Sequence, residues 1–156
     1  MKSDSFNIVH HFIDTATQYP DKTAIVYQGE KITFGELKEQ VLQTAYHFLE
    51  KGIKKGDRVL VFVPMSIDLY RNVLALFYIG ATAVFLDEWV SKKRMEICCR
   101  IANCQAFIGI FKARVLAIFS RELRKIPIRL SEKFKPNSLK QIIEATNRED
   151  TALITF

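Results

Sequence analysis

The side chains with the most chemistry to offer are three cysteines that lie close together in the sequence, Cys98, Cys99 and Cys104. Thiolates can hold a metal ion, but a four-ligand site needs another ligand at a suitable spacing. The three histidines of the chain all lie before residue 50, far from these thiols. An odd number of cysteines without a secretory signal also argues against a disulfide framework. We therefore expect buried, reduced thiols, with a metal or redox role as the weaker alternative.

Phosphate binding is a second chemistry that a strand–turn–helix sequence can supply, through a glycine-rich loop. Neither G-x-G-x-x-G nor G-x-x-x-x-G-K-[ST] occurs in the chain, and the six glycines stand singly. The nucleophile motif G-x-S-x-G is absent as well. From motifs alone the sequence predicts no catalytic residue and no metal ligand in this chain, which looks like a scaffold.

Positive charge is concentrated between residues 92 and 140, where 13 lysines and arginines accompany only three acids. Such asymmetry can mark a surface for nucleic acid, a membrane or a phosphate-bearing ligand. The alternative is that these side chains form the solvated outer faces of helices. No recognised nucleic-acid motif accompanies the charge, so no nucleic-acid partner is expected.

The elements that would position these residues begin with a helix that Pro20 ends, followed by a hairpin that turns at residues 28–30. Residues 33–52 form an amphipathic pattern typical of a helix. Thr33 and Glu36 match a capping box at its start, and Gly52 suits its end.

From residue 58 onward, apolar runs alternate with helical patterns. Predicted strands cover residues 59–63, 82–87, 106–110, 126–130 and 151–156. Predicted helices cover residues 67–80, 92–103, 112–125 and 137–147, with caps at Ser66, Ser91 and Asn137 or Ser138. Runs that are apolar on both faces belong to parallel sheets covered on both sides. We expect an α/β fold with a doubly wound, mostly parallel sheet and helices on both faces, plus the N-terminal helix and hairpin.

The longest uncharged apolar stretch, residues 73–86, is shorter than the roughly 20 residues of a membrane-spanning helix. No membrane span is therefore expected. Residues 1–5 also lack the apolar segment of a secretory signal, which predicts a cytoplasmic protein.

Short pieces spread over residues 19–87 carry a resemblance to a known family. They are Tyr19–Lys22, Ile32–Phe34 before Glu36 and Leu37, Gly52–Ile53, Gly56–Val59, Pro64 with Ser66, Leu74–Leu76, Gly80–Ala81 and Leu86–Asp87. In this order and spacing the chain resembles the opening of the AMP-forming adenylating enzymes: acyl-CoA synthetases, peptide-synthetase adenylation domains and luciferases. The resemblance covers residues 6–110 well and the rest loosely. Phe85 and Glu88 stand where the family usually has proline, which leaves the subfamily open.

The resemblance implies a protein that activates a small carboxylic acid with Mg-ATP as an acyl-adenylate. The acyl group then passes to a thiol, expected to be coenzyme A. In this family a strand like residues 151–156 leads directly into the loop that wraps the ATP phosphates. Residues 1–156 are therefore expected to be one partial domain, the N-terminal part of a larger enzyme that stops just before that loop. Its further partner is then the remainder of its own chain, and by itself it should be inactive and bind ATP weakly.

The resemblance also singles out Arg114 and Lys112. In some coenzyme A ligases, basic side chains after the strand equivalent to residues 106–110 lie near the nucleotide of the coenzyme. An ordinary exposed helix surface is the alternative for both residues. Residues 151–156 are mostly apolar or β-branched and are expected to form a buried strand. A homodimer is a further expectation, because an unpaired edge of this strand would allow two copies to pair.

Three alternatives to a coenzyme A ligase stay open from the sequence. The chain could be the adenylation domain of a peptide synthetase, with a carrier-protein thiol as acceptor. It could be a stand-alone flavodoxin-like binding module, or a basic nucleic-acid-binding domain with a strongly salt-dependent affinity.

Overall fold

The computed structural model describes residues 7–86, 92–133 and 153–155. The helices of this part of the chain are α1 (Val9–Gln18), α2 (Phe34–Glu50), α3 (Ile67–Tyr78), α4 (Lys92–Ala102) and α5 (Phe111–Ile118), with a short 3-10 turn at Leu123–Lys125. The strands are β1 (Thr23–Tyr27), β2 (Glu30–Thr33), β3 (Arg58–Phe62), β4 (Thr82–Phe85), β5 (Ala106–Gly109), β6 (Ile128–Ser131) and β7 (Leu153–Thr155). The helix predicted at 137–147, the caps at Ser91 and at Asn137 or Ser138, and Asp87 lie outside the described residues.

A five-stranded sheet with the order β6-β5-β3-β4-β7 forms the centre of the fold, and every neighbouring pair in it is parallel. Strands β1 and β2 make a separate antiparallel hairpin. The hairpin turns at Gln28 and Gly29, which both have positive φ angles, as a tight two-residue turn requires. The arrangement confirms the predicted parallel α/β sheet and the preceding hairpin.

Strand β3 is buried on both of its faces. Val59 and Val61 pack in one core with α1, α2 and α3, and this side is named the α2–α3 face. Leu60, which points the other way, packs in a second core with α4 and α5, on the α4–α5 face. Neighbouring strands repeat the alternation, because Ala83 and Val84 of β4 belong to opposite cores. Helices therefore cover both faces of the sheet, which confirms the doubly wound fold.

A capping box starts α2, as the sequence predicts. The Oγ1 atom of Thr33 accepts a hydrogen bond from the backbone N–H of Glu36 at 3.2 Å. In return, a carboxylate oxygen of Glu36 accepts from the backbone N–H of Thr33 at 2.9 Å. These bonds hold the pKa of Glu36 below its ordinary value of 4.5. A depressed pKa means that this contribution to stability is present above pH 4.5 and is lost as the pH falls through the folded-state pKa.

Helices α2 and α3 are each followed by a glycine with a positive φ angle. Gly52 has φ +90° and Gly80 has φ +72°, a region that other L-residues rarely enter. After Gly52 the chain turns so that the N–H of Ile53 donates to the carbonyl oxygen of Phe48 at 3.0 Å. The turn buries Ile53 completely and leads the chain toward β3.

The prediction of one basic amphipathic helix over residues 112–125 is wrong. Helix α5 ends at Ile118, and a 3-10 turn follows five residues later. The break occurs at Ser120, which is buried and whose hydroxyl donates to the Glu96 carboxylate on α4 at 3.3 Å. The same hydroxyl accepts from the N–H of Leu123 at 3.5 Å, and the resulting turn buries Leu123 in the core of the α4–α5 face.

The prediction that the last strand is buried is also wrong in the described residues. Strand β7 lies at the edge of the sheet with β4 as its neighbour. Ile154 packs on the α4–α5 face, whereas Leu153 is 48% exposed and Thr155 is exposed. The apolar composition of a strand does not reveal that it will occupy an edge.

Gly109 allows α5 to pack closely on the end of β5. A Cβ atom placed there would lie 2.6 Å from Cζ of Phe107 and 3.2 Å from Cβ of Ala113. Phe107 is almost fully buried in the α4–α5 core, so its ring has little room to move. The absent side chain at Gly109 therefore sets the distance between the sheet and α5.

The capping box gives a first testable outcome. Thr33→Ala removes the hydroxyl that accepts from Glu36, and we expect the free energy of unfolding to fall by about 1 kcal/mol. Urea denaturation at pH 7 measures the difference. Thr15→Ala is a matched control, because the Thr15 hydroxyl only donates to the carbonyl oxygen of His11 within α1. We expect the control to change stability by less than about 0.5 kcal/mol, and an equal effect of both variants would contradict a special role for the cap.

The contact at Gly109 gives a second testable outcome. Gly109→Ala forces a methyl group against the Phe107 ring, and we expect it to destabilise the fold by about 1–3 kcal/mol. A Phe107→Leu replacement shortens the obstructing side chain. In a double-mutant cycle followed by urea denaturation, the two changes together should cost clearly less than the sum of the single effects. Simple additivity would mean that the close approach is not the cause.

Candidate functional site

At the carboxyl edge of the parallel sheet, two neighbouring strands continue into helices on opposite faces of the sheet. Strand β3 continues into α3 on the α2–α3 face, whereas its neighbour β5 continues into α5 on the opposite face. The two connections leave in opposite directions and open a crevice between the strand ends. In open α/β sheets, ligands bind at such a switch point.

An apolar cleft of about 390 Å³ lies at this edge. It is lined by residues at the ends of β3, β4 and β5 and by the loop that follows β3: Val61, Phe62, Val63, Pro64, Met65, Leu69, Phe85, Leu86 and Ile110. None of these described lining residues carries a charge, so the walls that they form suit an apolar or aromatic group rather than a free phosphate.

Backbone and hydroxyl hydrogen bonds hold the mouth of the cleft in place. The N–H of Ile110 donates to the carbonyl oxygen of Phe62 at 3.3 Å, which extends the pairing of β3 and β5 to their ends. On the other side, the Ser66 hydroxyl donates to the carbonyl oxygen of Pro64 at 2.9 Å and accepts from the N–H of Leu69 at 3.2 Å. Ser66 thereby caps α3, as predicted from the sequence, and fixes the loop that forms one wall.

The start of α5 brings positive charge to the same edge. Ile110 lines the cleft and is the N-cap of α5, and no side chain caps the exposed N–H groups of that helix end. Lys112 and Arg114 follow within the first turn, and both are exposed. The two residues singled out in the sequence therefore lie beside the carboxyl edge, but neither lines the cleft. Cations and a helix N-terminus together attract a phosphate group.

The three cysteines lie away from this edge, on and after α4, and all three are buried. Burial raises the pKa of Cys99 to about 12, with a smaller contribution from the neighbouring Cys104 and Cys98 thiols. Burial likewise raises the pKa of Cys104 to about 11. Both thiols are protonated at neutral pH and serve as small apolar core residues. Within residues 7–86, 92–133 and 153–155, no three His, Cys, Asp or Glu residues are grouped so that they could hold a metal ion.

A polar cluster that the sequence analysis missed joins α3 to the end of β6. The buried Asn72 amide donates to the carbonyl oxygens of Asp68 at 2.7 Å and of Glu132 at 3.2 Å. Arg71 donates to the same Glu132 carbonyl and pairs with the Asp68 carboxylate at 2.7 Å. The signal in the sequence is the group Asp68, Arg71 and Asn72 in the first half of a helix whose second half is apolar. The cluster fixes the end of β6 relative to α3. It lies beside a polar cleft of about 510 Å³, which Lys133 and residues of the hairpin also line.

No helix in the described part of the chain combines the length and the apolar character needed to cross a bilayer.

Comparison with known proteins agrees with the resemblance noted in the sequence. The profile of the family described as AMP-binding enzyme matches residues 12–156. A 2-succinylbenzoate–CoA ligase of Bacillus cereus is 30% identical over 108 residues, which cover 65% of this chain and 21% of that protein. The chain thus spans about a fifth of the length of the curated relatives that it matches.

Solved structures share the fold at lower identity. The N-terminal subdomain of NpsA from Klebsiella oxytoca, in complex with 3-hydroxybenzoyl-AMSN, superimposes with a TM-score of 0.79 at 22% identity, over 97% of this chain and 37% of that one. O-succinylbenzoate coenzyme A synthetase from Bacillus subtilis, in complex with AMP, gives a TM-score of 0.70 at 18% identity, over 86% and 34% of the two chains.

The profile match extends over almost the whole chain, from α1 to β7, and the sheet that the structure contains is the one the resemblance implies. The chain therefore belongs to the AMP-binding enzyme family.

Proposed function

We propose that this chain is the N-terminal part of an ATP-dependent acid–thiol ligase, which activates a carboxylic acid as its acyl-adenylate and transfers the acyl group to coenzyme A. The observation that carries the proposal is the family match over residues 12–156. The names of the similar curated proteins, which are coenzyme A ligases, support the choice of thiol. The name 2-succinylbenzoate also supports an aromatic carboxylic acid as the class of substrate.

In this proposal the chain supplies framework rather than phosphate chemistry. Its sequence has no phosphate-binding loop, and its described residues offer no metal-binding group of carboxylates. These residues do not fit Mg-ATP, so we assign the binding of the nucleotide and its metal to other parts of the enzyme. What the described residues contribute is a rigid sheet edge that positions one wall of the ligand crevice.

The positive charge at the described edge supports coenzyme A rather than a carrier-protein thiol as the acceptor. The coenzyme bears phosphate groups, and the uncapped start of α5 with Lys112 and Arg114 attracts anions. The apolar cleft beside Ile110 can take an uncharged part of the same ligand. An adenylation domain that uses a carrier protein, the second candidate, has no need of a nucleotide phosphate at this place.

A first test concerns the chain by itself. We expect the purified 156-residue protein to give ATP–pyrophosphate exchange at the background rate with any carboxylic acid, because its sequence lacks the loop that holds the ATP phosphates. Exchange is measured from radiolabelled pyrophosphate incorporated into ATP, with a complete adenylate-forming ligase as positive control. Activity above background would show that the phosphate site lies within these residues.

A second test concerns Arg114. In the complete enzyme, Arg114→Ala removes a cation that we assign to a coenzyme phosphate, and we expect the KM for coenzyme A to rise about tenfold with little change in kcat. Steady-state kinetics at saturating ATP and acid measure both constants. Arg100→Ala is the matched control, because Arg100 is also exposed but lies on α4. An unchanged KM in Arg114→Ala, or an equal rise in the control, would remove Arg114 from the coenzyme site.

A further inference from the structure

Helix α5 is oriented with its small residues toward the sheet and its large apolar residues toward solvent. Ala113 and Ala117, four residues apart, are buried against β5 and the rest of the α4–α5 core. Five large apolar side chains of α5 and its C-cap are exposed, and we name them the α5 apolar surface: Phe111, Val115, Leu116, Ile118 and Phe119. Phe111 is 72% exposed and Phe119 is 70% exposed.

This arrangement reverses the usual distribution on a helix that covers a sheet. Helix α4, which packs on the same core, exposes Lys93, Arg94 and Arg100 along with two isoleucines. On α5 the positions i, i+4 and i+8 that face outward are Phe111, Val115 and Phe119. In the described part of the chain the two phenylalanines at the ends of α5 stay exposed, and a concentrated apolar patch of this kind marks an interaction surface.

Basic side chains accompany the α5 apolar surface. Apart from Lys112 and Arg114, which are assigned above to the coenzyme, residues 119–129 include four exposed lysines and arginines, which form the basic margin of the surface: Arg121, Arg124, Lys125 and Arg129. The same segment has one acid, Glu122, and its carboxylate is bonded to the Lys125 ammonium at 2.9 Å. The α5 apolar surface is therefore followed in the chain by a basic margin with a strong net positive charge.

The partner must offer apolar contact and negative charge together. Two copies of this surface would bring like charges into contact, which disfavours a dimer through α5. A bilayer with anionic lipids offers both properties, because headgroup phosphates attract lysine and arginine while the interfacial layer accepts phenylalanine, leucine and isoleucine. The two phenylalanines lie about 12 Å apart along the helix, so both can enter the same leaflet while α5 lies flat on it.

We propose that the α5 apolar surface and its basic margin bind the surface of a membrane that contains anionic lipids. The binding is peripheral, with α5 parallel to the bilayer and its apolar side chains at the level of the headgroups. Since Ile110 at the start of α5 also lines the apolar cleft, membrane binding would hold the mouth of that cleft close to the lipid surface. The proposal does not depend on the proposed ligase activity.

Vesicle flotation of the purified protein tests the proposal. We expect the protein to float with vesicles of phosphatidylcholine containing roughly 30% phosphatidylglycerol, to stay behind with phosphatidylcholine alone, and to be released by about 0.5 M NaCl. A Phe111→Ser/Phe119→Ser double variant should lower the partition coefficient about tenfold or more. The matched control is Ile8→Ser/Val26→Ser, which removes two exposed apolar side chains elsewhere and should bind as the unaltered protein does.

A charge variant separates the apolar from the electrostatic contribution. Arg121→Glu/Arg124→Glu reverses two exposed cations at the margin and should also weaken binding about tenfold or more while leaving the apolar surface in place. Circular dichroism confirms that each variant is folded. Flotation that is absent, indifferent to anionic lipid, or unchanged in the phenylalanine variant would overturn the proposal. So would a dimer in sedimentation equilibrium that the phenylalanine variant dissociates, because the surface would then bind a second copy.

Discussion

Burial of β3 on both faces is the constraint on which the rest of the structure depends. A strand whose successive residues are all apolar cannot leave either face in water, so it needs a helical layer above and another below. Val59 and Val61 require the first layer, which α2 and α3 provide, and Leu60 requires the second, which α4 and α5 provide. The chain can supply both layers only if its connections change face. That change of face produces the crevice at the carboxyl edge, so the site and the core have one common origin.

Close packing at Gly109 links the buried core to the carboxyl edge of the sheet. Because Gly109 has no side chain, the buried Phe107 ring and Ala113 of α5 both lie close to its backbone at the end of β5. This contact fixes the distance between the end of β5 and α5. The start of α5, with its N–H groups and two cations, therefore has a fixed position beside the cleft. On the opposite wall, Ser66 plays the corresponding part for α3 through its two hydrogen bonds. The edge is thus formed by two helix starts, one capped by a hydroxyl and one without a side-chain cap.

Local patterns in the sequence were enough to predict the features that depend on local physics. Continuous apolar runs indicated β3, β4 and β5, and the Thr33–Glu36 pair indicated where α2 begins.

Features that depend on distant contacts were not predictable from the sequence. Helix α5 ends where it does because Ser120 meets Glu96, a residue 24 positions earlier on another helix. The exposure of Leu153 follows from the place of β7 in the sheet, which its own composition does not encode. The cleft is formed by three strand ends and a loop, so no single stretch of sequence reveals it. Arg114 is a candidate through the family resemblance alone.

The pairing of β7 with β4 has a consequence for how the chain is made. Ala83 is opposite Leu153, a residue that leaves the ribosome 70 positions later. At translation rates of roughly 5–20 residues per second, β4 waits about 4–14 s with one side unpaired. During that interval an apolar strand edge is open to pairing with other nascent chains. Slow or crowded synthesis should therefore harm this fold more than its final stability would suggest, and a chaperone that shelters β4 co-translationally would be of most use to it.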